Sequence, residues 1–361
     1  MLKKMITMGL VVVMMVAIVL SIAAADSTWK GDKISDPIEM NVATVWATND
    51  ASPNAALDYF EKKVELLSGG KITVNVHKGT LGAERSLLED MQLGILESTI
   101  VTTGTLGGFV KLAEIFMMPH IFKDINHAIA VVDGALGDRM NELCLEKGIR
   151  ILDWQVSDIR DLYGTGSAVL TPDDLKGKKI RVMETPFLVA LYEHYGAIAT
   201  PMAYNEVYTA LQLGAIDGVQ AGLAGISQGH HEVSDWFSSI QENIVLDIFA
   251  VSEKWWISLP KEAQDIIKQG AQEASVISTK ICKEQREILA NIWEKAGVEI
   301  HYDVDRAAFQ KKALELYPKL TDMLGAANED KWVDWIIKVG ETFPVETQIP
   351  DEMYKGIIYD F

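Results

Sequence analysis

Two arginines carry the clearest chemical promise in this 361-residue chain. Arg181 closes the short apolar stretch Lys179-Ile-Arg-Val, which reads as a strand, and Arg160 stands in Ser157-Asp-Ile-Arg-Asp161. A guanidinium is planar, charged and forked, so it meets a carboxylate through two parallel hydrogen bonds, more strongly where water is partly excluded. Each arginine has an ordinary alternative. Arg181 could pair at the surface with Asp173, Asp174 or Glu184, and Arg160 could be neutralised by Asp158 or Asp161. A second chemistry is written in Gly225-Ile-Ser227-Gln-Gly229, which satisfies G-x-S-x-G and precedes His230 and His231. That nucleophile elbow needs a strand, a sharp turn, a helix, and a later acid and histidine. Here the serine falls in a segment that reads as continuing helix, and the only histidine after His231 is His301. His231-Glu232 starts no H-E-x-x-H, because Asp235 occupies the second histidine's place. Gly164-Thr-Gly166 lacks the remaining glycine of a dinucleotide loop.

The surrounding elements alternate in α/β fashion. Ser52-Pro53 opens a helix whose Ala56, Tyr59, Phe60, Val64 and Leu67 share a face, and Gly69-Gly70 closes it. Ile72, Val74 and Val76 alternate as a half-buried strand. A helix from Glu84 to Leu93 leads through Gly94 into a strand at Ser98–Val101. After Arg181 comes a helix with Asn205 as its N-cap, an apolar face of Val207, Ala210 and Leu211, and Gly214 as its stop. A short strand, Ala215-Ile-Asp-Gly218, should follow. Met91-Gln-Leu-Gly94-Ile-Leu-Glu is echoed by Leu211-Gln-Leu-Gly214-Ala-Ile-Asp, which suggests two lobes of similar plan. From Glu262 to Lys295 the pattern is helical, interrupted only by Gly270, and reads either as one long helix or as two broken there.

Three ordered blocks, Asp174–Val182, Pro201–Gly218 and Val251–Pro260, resemble "DLKGxKIRV", "PMxxxEVYxALQxGxxDG" and "VSxxxWxxLP" of the dicarboxylate-binding type of TRAP transporter solute-binding proteins. The resemblance covers nearly the whole mature chain. It implies a two-lobed α/β periplasmic-binding-protein fold with a central cleft and a long helix running along both lobes. By analogy, one lobe comprises residues 26–157 plus 247–287 and the other 158–246 plus 288–361, with hinges near Ser157 and Leu246. The arginine of "KIRV", here Arg181, would be the clamp for the ligand carboxylate. Arg160 would be a second arginine near the ligand, and Tyr204 an aromatic of the cleft. Trp46, Thr102 and Thr103 would end strands of the first lobe and face the cleft.

One departure bears on the ligand. Many members continue "DGxENP" with an asparagine that contacts the ligand; this chain reads Asp217-Gly-Val-Gln220-Ala221-Gly222. Ala221 offers no side-chain hydrogen bond, so a compact dicarboxylate or a sialic-acid-like ligand loses a contact, and room opens for a bulkier or more apolar body. Asp247 could meet an amine on that body, with a helix cap as its plainer role. The acid and tryptophan that the metal-assisted members carry near Gln220–Gly222 are absent, so neither metal nor cofactor is expected.

Composition sets the compartment. Lys3 and Lys4, an apolar run from Met5 to Leu20, and Ala23-Ala24-Ala25 read as an export signal cleaved after Ala25. The formal charge of −18 becomes −20 once the two lysines leave. So acidic a chain is repelled by phosphate backbones, which makes nucleic acid a poor partner. It also means that an anion must be drawn by local arginines. Cys144 and Cys282 could pair after export or remain buried thiols. The expectation is a periplasmic, non-enzymatic protein that captures an organic acid by cleft closure and passes it to TRAP membrane subunits. A secreted serine hydrolase on Ser227, or a sensing domain without transport, is the alternative.

Overall fold

The computed structural model describes residues 34–342, so the expected export signal lies outside the described residues. Among them, nine strands form one mixed sheet: β1 Ile38–Thr44, β2 Ile72–Lys78, β3 Ser98–Thr102, β4 Ile149–Gly164, β5 Lys179–Val182, β6 Ile198–Pro201, β7 Gly218–Ala221, β8 Trp236–Ser252 and β9 Glu299–His301. The order is β2-β1-β3-β8-β4-β7-β5-β6, with β9 beside β8. Six helices matter for the site: α1 Ser52–Ser68, α2 Glu84–Leu93, α3 Pro186–Tyr195, α4 Val207–Gln212, α5 Lys261–Glu284 and α6 Arg286–Lys295.

The echo in the sequence is an echo in topology. β1 lies between β2 and β3, parallel to both, and β5 lies between β6 and β7, parallel to both. The helices α2 and α4 each stop at a glycine in the left-handed region, Gly94 at φ 75° and Gly214 at φ 67°, where a Cβ would be strained. The two halves are joined by β4 and β8, antiparallel strands of 16 and 17 residues. β3 pairs with the 247–251 end of β8, and β7 pairs with the 161–164 end of β4. Between these ends the β4–β8 register shifts: Val156 faces Leu246, but Asp158 faces Val245. An extra residue on one strand bends the pair there.

α1 forms as the sequence predicts, with a proline in its first turn and Gly69 at φ 63° closing it. It buries Ala56, Phe60 and Val64 against Ile266, Ile267 and Ala271 of α5. That contact explains Gly270. A Cβ there would lie 2.8 Å from Val64 and 3.1 Å from Phe60, so the glycine permits close packing and α5 runs straight through it. The helical segment is instead interrupted at Gln285, and α6 starts at Arg286. The second half has its own core, in which Val207, Ala210 and Leu211 of α4 pack near Tyr163, Phe237 and Trp293.

Two local readings need correction. Asn205 caps nothing: it sits in a 3-10 turn, Tyr204–Glu206, and no side chain caps α4. The strand expected at Ala215 begins at Gly218. Asp217 is spent on a clasp with β5, donating its N–H to the Lys179 carbonyl at 2.8 Å and accepting the Lys179 N–H on its carboxylate at 2.7 Å. Cys144 and Cys282 are both buried, unpaired thiols, and burial pushes Cys144 up to about 12, which leaves it unreactive.

Candidate functional site

A cleft opens where the parallel strands of both halves end. From one half come Trp46 after β1, Thr102 at the end of β3 and Glu84 at the start of α2. From the other come Arg181 on β5, Met202 and Tyr204 after β6, and Arg160 and Asp158 on β4. Strand ends facing helix starts are where α/β proteins gather ligand groups.

Arg181 is only 2% exposed and is held from its side. Its Nε and Nη2 donate to the Met202 carbonyl at 3.0 and 2.7 Å, and its carbon end lies 5.5 Å from the Tyr204 ring centre. Nη1 is buried without a partner. The surface ion pair open to it from sequence is excluded: Asp173 pairs with Lys176, and Asp174 closes a capping box with Thr171. Burial, then the neighbouring Arg160, pulls Arg181 down to about 10, so it remains charged at neutral pH. The end-on edge of the fork is therefore a charged pair of donors with one side already fixed.

Arg160 is 8% exposed and reaches the same cleft. Its Nη2 lies 3.1 Å from Met183 Sδ, a weak acceptor. Neither flanking acid forms an ion pair with it among the described residues. Asp161 pairs with Arg286 at 2.8 Å, and Asp158 accepts N–H groups of Ile159 and Ala224. Burial pushes Asp158 up to about 6, with Arg286 and then Arg160 opposing that rise.

The remaining sequence candidates divide. Trp46, Thr102 and Tyr204 line the cleft. Thr103 does not: it starts a four-residue helical turn, fully buried. Ala221 is packed into the core of the second half, and the room expected beside it is filled by Asp158. A Cβ on Gly222 would meet the Ile159 carbonyl at 2.2 Å and both Asp158 oxygens at 2.4 Å. Asp247 caps no helix. It sits in mid-strand on β8 between Thr102 and Gln155, fully buried, and burial raises its carboxyl well above the usual range while the Ser157 hydroxyl works the other way.

Sequence reasoning missed Glu84. Its carboxylate accepts from the Thr102 N–H at 3.3 Å, the Thr102 hydroxyl at 2.7 Å and the Thr105 hydroxyl, at the positive end of α2. An acid in the first turn of a helix is so common that only its neighbour across the fold, Thr102, marks it. Ser227 is buried in a 3-10 turn, Leu223–Gln228, with its hydroxyl unpartnered among the described residues. The Nδ1 of His230 is taken by the Tyr163 hydroxyl at 2.7 Å, and burial lowers that imidazole to about 3. Among the described residues no base is hydrogen-bonded to the serine.

With this geometry in hand, the comparisons with known proteins are specific. The model for bacterial extracellular solute-binding proteins of family 7, DctP, matches residues 42–322. A solute-binding protein of Chromohalobacter salexigens is 31% identical over 84% of this chain and 88% of its own length. A TRAP periplasmic solute-binding protein of the same species, solved with bound D-glucuronate, superposes with a TM-score of 0.77 at 28% identity, covering 83% of this chain and 99% of that one. Another from Polaromonas, bound to D-erythronate, gives 0.78 at 25% identity over 83% and 98%. Shared fold, matched length and family model agree: the chain belongs to the DctP family of TRAP transporter solute-binding proteins, and its function is to bind a solute for transport.

Proposed function

We propose that this chain captures a polyhydroxylated monocarboxylate, a sugar acid, in the periplasm and delivers it to the membrane subunits of a TRAP transporter. The observation that carries the reading is Arg181. Its fork is fixed on one side by the Met202 carbonyl and leaves an end-on edge whose buried Nη1 has no partner, in the wall of the cleft with Arg160 beside it. One carboxylate satisfies that edge through two charge-assisted hydrogen bonds. The far wall offers Glu84, Thr102 and Thr105, which suit ligand hydroxyls and repel a second carboxylate. The D-glucuronate and D-erythronate bound by the similar proteins are acids of this kind.

Closure supplies the mechanism. With lobes of residues 26–157 plus 247–287 and 158–246 plus 288–361, the hinges fall at the β4–β8 register shift. Gln228 then donates to the Val45 carbonyl across the cleft at 2.7 Å, and Thr185 donates to Glu114. A ligand favours the closed form only through interactions that the open form lacks, and these two bonds form alongside them. Release after Ala25 as a periplasmic protein belongs to the same reading; among the described residues no helix is long and apolar enough to cross a membrane. No covalent step is required, and among the described residues the Ser227 hydroxyl is hydrogen-bonded to no base.

A thermal-shift panel tests the ligand class. Sugar acids such as D-glucuronate and D-erythronate should raise the midpoint, whereas succinate and neutral sugars should not. A ligand at a hundred times its Kd adds about 2.7 kcal/mol, enough for a shift of a few degrees. Ser227→Ala should respond as wild type. A larger shift with succinate than with any sugar acid rejects the single-carboxylate reading.

A further inference from the structure

Asp158-Ile-Arg160-Asp161 ought to be self-neutralising, since an arginine between two acids has partners on both sides. It is not, and the reason lies 125 residues further on. The Nη2 of Arg286 is 2.8 Å from Asp161 Oδ2, and its Nη1 is 3.9 Å from Asp158 Oδ1. The other oxygen of Asp161 accepts the Gln241 N–H at 2.8 Å, and Asp158 is occupied by the N–H groups of Ile159 and Ala224 at 2.9 and 3.3 Å. Arg160 has the Met183 sulfur as its hydrogen-bond contact and forms no ion pair among the described residues, although Asp158 is near enough to feel its charge. Arg286 itself does not line the cleft; it borders a separate groove with Tyr302 and Ile300.

We propose that Arg286 is a positioning residue for ligand binding: by pairing with Asp161 and standing 3.9 Å from Asp158, it offsets the charge of both acids and keeps the Arg160 guanidinium unpaired and facing the cleft. The interruption of the helical segment at Gln285 puts Arg286 in the first turn of α6, where Nη2 pairs with Asp161 and Nη1 lies 3.9 Å from Asp158. Asp161 is fully buried, and a buried carboxylate stripped of its cation is strongly disfavoured. Without Arg286, Asp161 still has Arg306 nearby, whereas Asp158 is left with Arg160. Arg160 would then turn away from the ligand, and a ligand carboxylate would keep one arginine of two.

The inference rests on the carboxylate reading of the cleft, so its test has an arm that needs no ligand. In a crystal structure of unliganded Arg286→Met, the Arg160 guanidinium should leave Met183 and pair with Asp158. If it stays on Met183, the proposal is overturned, whatever the protein binds. In the second arm, D-glucuronate is titrated calorimetrically into wild type, Arg286→Met and Arg286→Met/Asp158→Asn. The single variant should bind at least tenfold more weakly, and removing the acid should bring affinity back to within about threefold of wild type, since the competitor for Arg160 is gone. A purely structural role predicts no recovery on removing a second partner. Unchanged affinity in the single variant, or no recovery in the double, rejects the proposal. Should Arg286→Met fail to fold, Arg286→Lys keeps the charge on Asp161 but cannot span both acids, and a loss of at least threefold is expected. A wild type that ignores D-glucuronate counts against the sugar-acid reading and leaves the crystallographic arm to decide this one.

Discussion

Arg181→Met separates the cost of the clamp from its use. Being held at about 10 instead of 12.5 means that the charged guanidinium costs the unliganded fold about 3 kcal/mol. Methionine removes that cost and fills similar volume. It also strands the Met202 carbonyl, which loses donors at 3.0 and 2.7 Å and gives back about 1–3 kcal/mol. The unliganded variant should thus lie between unchanged and about 2 kcal/mol more stable. Binding should suffer far more. A ligand carboxylate left facing an apolar side chain in a closed site loses about 2–5 kcal/mol, or from roughly 30-fold to several thousandfold in Kd. Denaturation of the unliganded protein and calorimetry with D-glucuronate read the two quantities separately. A variant destabilised by more than about 2 kcal/mol, or one that binds within tenfold of wild type, refutes the reasoning. The first outcome would make Arg181 a structural residue, and the second would make it a bystander.

Two further expectations follow from packing and charge. Gly270→Ala forces a methyl group against Val64 and Phe60 at the α1–α5 contact, so urea unfolding should show a loss of about 1–3 kcal/mol with sugar-acid affinity little changed. Glu242, fully buried against Tyr192 and Gln220, is pushed up to about 7 by burial. Its folded value lies above its unfolded one, so its stabilisation is complete in acid and is lost as pH rises through 7. Between pH 6.5 and 8 that amounts to about 0.8 kcal/mol, and a midpoint-versus-pH profile should flatten over this interval in Glu242→Gln.

What the sequence made legible were the features whose causes are local. α1 and α2 could be read from their apolar spacing and their glycine stops, and the two-lobe plan from the repeated Gln-Leu-Gly. Arg181 and Tyr204 could be placed because both lie in the blocks that resemble the family. What stayed hidden was set by distant partners. Whether Arg160 is free depends on Arg286, and whether Ala221 opens room depends on Asp158 folding over Gly222. Gly270 looked like a helix breaker because the pattern of one helix cannot reveal the Phe60 and Val64 of another. Glu84 looked like an ordinary first-turn acid, and Asp247 like a cap, because neither pattern shows which strand lies alongside.

The central claim is that the ligand is held by its carboxylate. The most direct measurement is calorimetry on the wild-type protein with the sugar acid that gives the largest thermal shift and with the primary amide of that same acid. The two differ in charge at one group and hardly in shape. The account predicts that the amide binds at least a hundredfold more weakly, because the Arg181 and Arg160 donors then face a neutral group inside a buried site. Equal affinities would contradict it and move the recognition of the ligand away from the two arginines.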